Sequence, residues 1–233
     1  MSGRKIINWT LISVGIGLVL LPIIAYLLLL FTFSSLFPSE SSSKRELVEN
    51  FKIKEKEILE LKSTFNSIVP DEYSVYIEFK SSQEVDLWVF ENEIKNLYGN
   101  GVCLFQQWKI NPYKYKEEMP IEYDSTQYYT PRTKSLELVR LKLKWDDNTF
   151  REIKELLDNA NCISISSGEP TSIGFARSGM GKYGYVLFEN SIPDSLRTQY
   201  NDSCYYILYN DKVVLSYRGG VFGPQCFPEK DLK

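Results

Sequence analysis

Histidine is missing altogether from these 233 residues, and its absence excludes more chemistry than any motif adds. Without imidazole there is no His ligand for zinc, no side chain that ordinarily titrates near neutrality, and no Ser-His or Cys-His pair of the kind many hydrolases use. Catalysis would have to rest on carboxylates, Lys, Tyr or a Cys with no imidazole partner. The adjacent acidic pairs Glu117–Glu118 and Asp146–Asp147 do not form a dyad, because neighbours point apart in a strand and splay in a helix. An enzyme is therefore disfavoured, and no cofactor or metal is implied.

Cysteine is sparse. Cys103, Cys162, Cys204 and Cys226 are widely spaced, with no C-x-x-C to suggest a redox pair or half of a zinc site. Their even number makes all four candidates for disulfides in an oxidising compartment, with the pairing open; the competing reading is buried free thiols acting as small hydrophobes. Basic charge is not in excess either. The chain carries 27 Lys and Arg against 30 Asp and Glu, a formal net charge of −3, which argues against nucleic acid as a partner.

What is present is a run from Ile6 to Phe33 without one charged side chain. At roughly 1.5 Å per residue a helix of that length exceeds a hydrocarbon core of about 30 Å. The run is too long for the apolar region of a cleaved signal peptide, and Ser34, Ser35, Leu36, Phe37 and Pro38 offer no small-residue cleavage pattern after it. Residues 1–33 are thus expected to be an uncleaved, single-pass signal anchor, the alternative being a buried core helix. Arg4 and Lys5 lie against its N-terminal end and favour a cytoplasmic N-terminus with the rest of the chain outside. Lys44, Arg45, Lys52, Lys54 and Lys56, farther away on the other side, argue the opposite way.

Residues 34–43, rich in Ser, read as a tether, and residues 44–233 as one globular domain. That domain opens with a helical stripe, Leu47, Phe51, Lys54, Ile58, Leu61, Phe65 and Ile68, ending before Pro70. The stripe suits packing on the domain's own sheet or pairing with a second chain. Val75–Phe79 and Val85–Phe90 alternate as a hairpin, and Val102–Ile110 as a further strand. An irregular stretch from Asn111 follows, carrying Tyr113, Tyr115, Tyr123, Tyr128 and Tyr129, which suit either contact with a ligand or partner or a lid over the core.

From Leu136 to Trp145 the alternation predicts a strand with a bulge near Leu138. On it Arg140, Lys142 and Lys144 share one face, about 13 Å of positive charge that would meet an anionic partner, lipid head groups or solvent. Asp146 or Asp147 should cap a helix running to Asn159, buried through Phe150, Ile153, Leu156 and Leu157. Strands are expected at Cys162–Ser166, Ile173–Ala176 and Tyr183–Phe188, and a short helix at Pro193–Tyr200. Cys204–Tyr209 and Lys212–Tyr217 should form a hairpin on the two-residue turn Asn210–Asp211, with Cys204, Tyr206 and Leu208 opposite Tyr217, Leu215 and Val213 on the core face. The tail from Arg218 should fold back over the core, the alternative being an exposed recognition strip with its aromatics as contact anchors.

The run Arg177 to Gly184 has the glycines and lysine of a phosphate loop but not the spacing, since Ala176 and Tyr183 stand where Gly and Ser or Thr are required. Arg177 and Lys182 remain candidate anion contacts there, beside Arg140, Lys142 and Lys144.

The fold class is therefore α+β: a single N-terminal transmembrane helix followed by a mainly antiparallel sheet with two or three packed helices. The expected function is a membrane-anchored, extracytoplasmic module that binds a protein or small ligand. The alternatives are a histidine-free anchored enzyme using carboxylate, Tyr or Lys chemistry, and a cytoplasm-facing regulatory domain.

Overall fold

In the computed structural model, residues 42–92, 102–114, 135–221 and 224–228, together with Tyr26, are described. The chain divides into two compact units, Met1–Glu40 and Ser41–Lys233. The first contributes only the helical Tyr26, so the anchor reading of residues 1–33 and most of the tether lie outside the described residues, as do Tyr115, Tyr123, Tyr128 and Tyr129. No helix among the described residues is long and apolar enough to cross a membrane.

The second unit is an eight-stranded antiparallel sheet with its three longer helices on one face and a short helical turn on the other. In chain order it runs α1 (Lys44–Ile68), β1 (Tyr73–Phe79), β2 (Val85–Glu91), β3 (Val102–Ile110), α2 (Leu136–Leu143), α3 (Asp147–Asn159), β4 (Ser164–Ser166), β5 (Thr171–Ser178), β6 (Gly181–Leu187), α4 (Asp194–Arg197), a 3-10 turn (Gln199–Asn201), β7 (Tyr206–Leu208) and β8 (Val213–Arg218). The strand order is β3-β2-β1-β4-β5-β6-β8-β7. Two helix-plus-three-strand units, α1-β1-β2-β3 and α3-β4-β5-β6, therefore meet through their first strands, β1 and β4, at Ile77 opposite Ile165.

Local signals start and stop α1 and α3 where the sequence places them. Ser43 and Glu46 form a reciprocal capping box at the start of α1, satisfying two of the backbone donors that a helix N-terminus leaves free. Asp146 does the same with Thr149 for α3, and Asn161 beyond its end takes the left-handed conformation, φ 50°. The helical stripe buries Leu47, Phe51, Ile58, Leu61 and Phe65 against β5, β6 and α3. It is thus the fold's own core that the stripe serves. Lys54, the one polar member, leaves helical geometry and marks a kink.

Two expectations are overturned. Leu136–Trp145 is not a bulged strand: residues 136–143 form α2, capped by Ser135 and closed by Lys144 at φ 58°. Leu136, Val139 and Leu143 are buried at helical spacing, while Leu138 and Leu141 point outward, 38 % and 76 % exposed. The leucines satisfied both periods, and helix-forming Glu, Leu, Arg and Lys together with the Ser cap decided between them. Arg140, Lys142 and Lys144 consequently share no strand face, since residues two apart on a helix point in different directions.

The last hairpin also differs, by one residue. Tyr206 pairs with Ser216, Ile207 with Leu215 and Leu208 with Val214, so Asn210, Asp211 and Lys212 form the loop in place of a two-residue turn. A one-residue slip turns every side chain of the shifted strand over. The core face is Ile207 and Tyr209 with Val213, Leu215 and Tyr217, whereas Tyr206 and Leu208 join Val186, Phe188, Ile192 and Val214 in a second, smaller cluster on the opposite face. The helix expected at Pro193–Tyr200 is shorter, Asp194–Arg197, and gives way to the 3-10 turn. Cys204 is bonded to Cys226, and Phe227 is buried beside Tyr183 and Tyr217, so the tail does fold back. Cys103 and Cys162 are free thiols.

A candidate binding cleft on the open sheet face

The face of the sheet away from α1 and α3 is built from the alternate residues of each strand, and the register lines them up in rows. One row crosses the sheet as Trp88, Tyr76, Ser166, Ser172, Val186 and Val214. The next runs Asp86, Glu78, Ser164, Gly174, Gly184 and Ser216. Large side chains thus stand at both sides and small ones in the middle. The result is a cleft of about 300 Å³ with a floor of serine and glycine and a wall formed by Tyr76, Trp88 and Phe90.

The two floor glycines are required by close approach. A Cβ on Gly184 would lie 2.4 Å from the Ile173 carbonyl oxygen, and one on Gly174 2.2 Å from Ser164 Oγ and 3.0 Å from Lys182 Cδ. The second of these contacts shows how the cleft holds its lysine: the aliphatic stem of Lys182 passes over the bare backbone at Gly174.

Lys182 ends in a buried charge network. Its ammonium donates to Tyr76 Oη at 2.9 Å, Ser164 Oγ at 3.1 Å and Glu78 Oε2 at 3.3 Å. Glu78, 2 % exposed, also accepts from Lys80 at 2.6 Å, from Arg177 Nε at 2.9 Å and from the Tyr76 hydroxyl. Lys80 reaches Asp86 at 3.0 Å, and Asp86 in turn accepts from the Lys109 backbone N–H. Burial by itself would raise the Glu78 carboxyl, but Lys182, Lys80, Tyr76 and Arg177 outweigh it and hold the group down at about 2. Burial and the neighbouring Glu78 push the Tyr76 phenol well up. Burial lowers the Lys182 ammonium, an effect Glu78 opposes. At neutral pH Glu78 is a weak base and Tyr76 stays protonated, so the cluster is poorly placed for proton transfer.

Other polar groups of the cleft are not engaged in this way. The Trp88 indole N–H is buried with no hydrogen-bond partner among the described residues. The Ser166, Ser172 and Ser216 hydroxyls and the Arg218 guanidinium, all on the cleft lining, likewise have none among them. Arg218 is exposed at the mouth, opposite Lys182 in the β6–β8 register.

Of the candidate anion contacts, Arg177 and Lys182 are therefore brought together, and the anion they meet is the chain's own Glu78. Arg140 sits elsewhere, on Asp147 and the Pro112 carbonyl oxygen; Lys142 donates to the Tyr73 hydroxyl; Lys144 is exposed at the end of α2. No group of His, Cys, Asp and Glu suited to a metal occurs among the described residues. Sequence reasoning missed the cleft itself. Its trace was there, a small residue between two large apolar ones in Tyr183-Gly184-Tyr185 and Leu215-Ser216-Tyr217, with Ser164 and Ser166 flanking Ile165. No family model, curated protein or solved structure matches the chain.

Proposed function

We propose that this protein is a membrane-anchored module, its globular unit outside the cytoplasm, that binds a ligand in the cleft on the open sheet face. The observation that carries the binding reading is the contrast within that cleft. One set of polar groups is saturated by its own members, and a second set, Ser166, Ser172, Ser216 and Arg218, lines the space without partners among the described residues. Concave sites walled by aromatic side chains, with a few convergent polar groups, are where small molecules bind. Anchoring is supported by the uncharged run Ile6–Phe33. The outward orientation is supported by Arg4 and Lys5 and by the Cys204–Cys226 disulfide, a bond that persists in oxidising compartments.

Two measurements test the two halves of this reading. The intact protein in membranes should resist carbonate extraction, and a Lys144→Cys variant should react with an impermeant maleimide added to intact cells; labelling only after lysis would reverse the orientation. In detergent, a thermal-shift screen against acidic and neutral ring-containing fragments should give stabilising hits that disappear in Ser172→Leu, which fills the floor. Hits that survive the filled floor, or no hits from either class, would remove the cleft as a binding site.

A further inference from the structure

From the chemistry of the lining we infer that the ligand is a small oxyanion-bearing molecule with a flat apolar body: its ring lies along the Tyr76–Trp88 wall and its carboxylate or phosphate faces Arg218 and the floor hydroxyls. The inference rests on the cleft being the binding site and deepens that reading to a ligand class.

Hydrogen-bond inventory decides the polar half. Among the described residues, no carboxylate and no carboxamide lines the cleft. The nearest carboxylate, Glu78, has its oxygens taken by Lys80, Arg177, Lys182 and Tyr76. The groups left over are the Arg218 guanidinium, which can only donate, and three serine hydroxyls, which donate and accept. A ligand that completes the guanidinium must bring an acceptor, and the hydroxyls beside it can donate to the same group.

Charge points the same way. Around the Lys182 end of the cleft the cations Lys80, Arg177, Lys182 and Arg218 face two carboxylates, Glu78 and Asp86. The excess is positive, and Arg218 has no ion-pair partner among the described residues. A guanidinium is suited to the two parallel hydrogen bonds a carboxylate or phosphate accepts.

The apolar half comes from the wall. The Tyr76 and Trp88 rings lie 4.9 Å apart between centroids, and Trp88 is braced from behind by Trp108 at 6.1 Å. A rigid aromatic surface beside a floor with no large side chain admits a flat ring more readily than a bulky aliphatic group. At about 300 Å³ the space suits a small molecule and not a folded partner.

The test uses the full-length protein in neutral detergent, titrated calorimetrically with benzoate, phenyl phosphate and the neutral isostere benzamide. At least one of the two anions should bind about ten-fold or more tightly than benzamide, a margin typical of a charge-assisted contact. Arg218→Gln, at an exposed and unpaired position, should abolish that margin without changing the melting temperature. Preference for benzoate over phenyl phosphate, or the reverse, identifies the oxyanion. Equal binding of benzamide, an anion affinity unaffected by Arg218→Gln, or binding by none of the three would overturn the inference. In each of those cases, neutral fragments displaced by Ser172→Leu would leave the cleft reading standing; without them both fall.

Discussion

At the scale of single residues, Glu78 is the centre on which the open face depends. Three cations and a phenol converge on a carboxylate that is 2 % exposed, and removing the common partner leaves three cations facing one another, Lys182 at 20 % exposure the least able to reach solvent. Glu78→Gln should therefore destabilise the fold by about 3 kcal/mol at neutral pH. The sign of the pH dependence follows from the depressed pKa. Stability from this group is fully present above the ordinary carboxylate value of 4.5 and is lost as pH falls through about 2. Denaturant titrations of wild type and Glu78→Gln at pH 7 and near pH 2 should show the gap between the two proteins closing in acid. A gap that stays constant would mean that the network contributes through packing alone.

At the scale of elements, the strands of the open face depend on where a side chain is missing. Gly174 and Gly184 are paired across β5 and β6, yet what each excludes differs. A Cβ at Gly184 meets backbone, the Ile173 carbonyl oxygen and Gly174 Cα; one at Gly174 meets the ends of side chains, Ser164 Oγ and the Lys182 stem. Backbone in a paired ladder cannot shift without breaking it, whereas a lysine can swing aside. Gly184→Ala should thus cost roughly 3 kcal/mol or prevent folding, and Gly174→Ala roughly 1 kcal/mol. The second variant should fold with Lys182 displaced from Ser164, which chemical denaturation together with a crystal structure would check. The same scale explains the misread elements. Leu136–Leu143 carries leucines that fit either period, and the burial of Leu136, Val139 and Leu143 joined the Ser135 cap and the helix-forming residues in settling the helix. The β7 face turned over because a three-residue loop replaced the tighter turn.

For the whole molecule, the Cys204–Cys226 bond ties the segment leading into edge strand β7 to a tail that has no strand of its own. That tail places Phe227 against Tyr183 and Tyr217 at the end of β6 and β8. Closing a loop with a sequence separation of 22 should stabilise by about 3 kcal/mol through the unfolded chain. The double variant Cys204→Ser/Cys226→Ser should lose that amount in denaturant, and wild type with reductant should match it. Cys103 and Cys162 are not part of the bond, so serine at those positions should leave the reductant effect in place.

The amino-acid sequence by itself determined the ends of α1 and α3, the buried stripe of α1, most strands and the polarity of the core, because caps, turns and apolar periods act over a few residues. It also set the limits on chemistry, through the missing histidine and the scarce cysteines. Only the tertiary structure decided which face of β7 is core, which cysteines meet, and that Glu78, Arg177 and Lys182 converge on one end of a serine-floored cleft. Those facts depend on the register between strands far apart in the chain, and register is a property of pairs of segments that no local pattern carries.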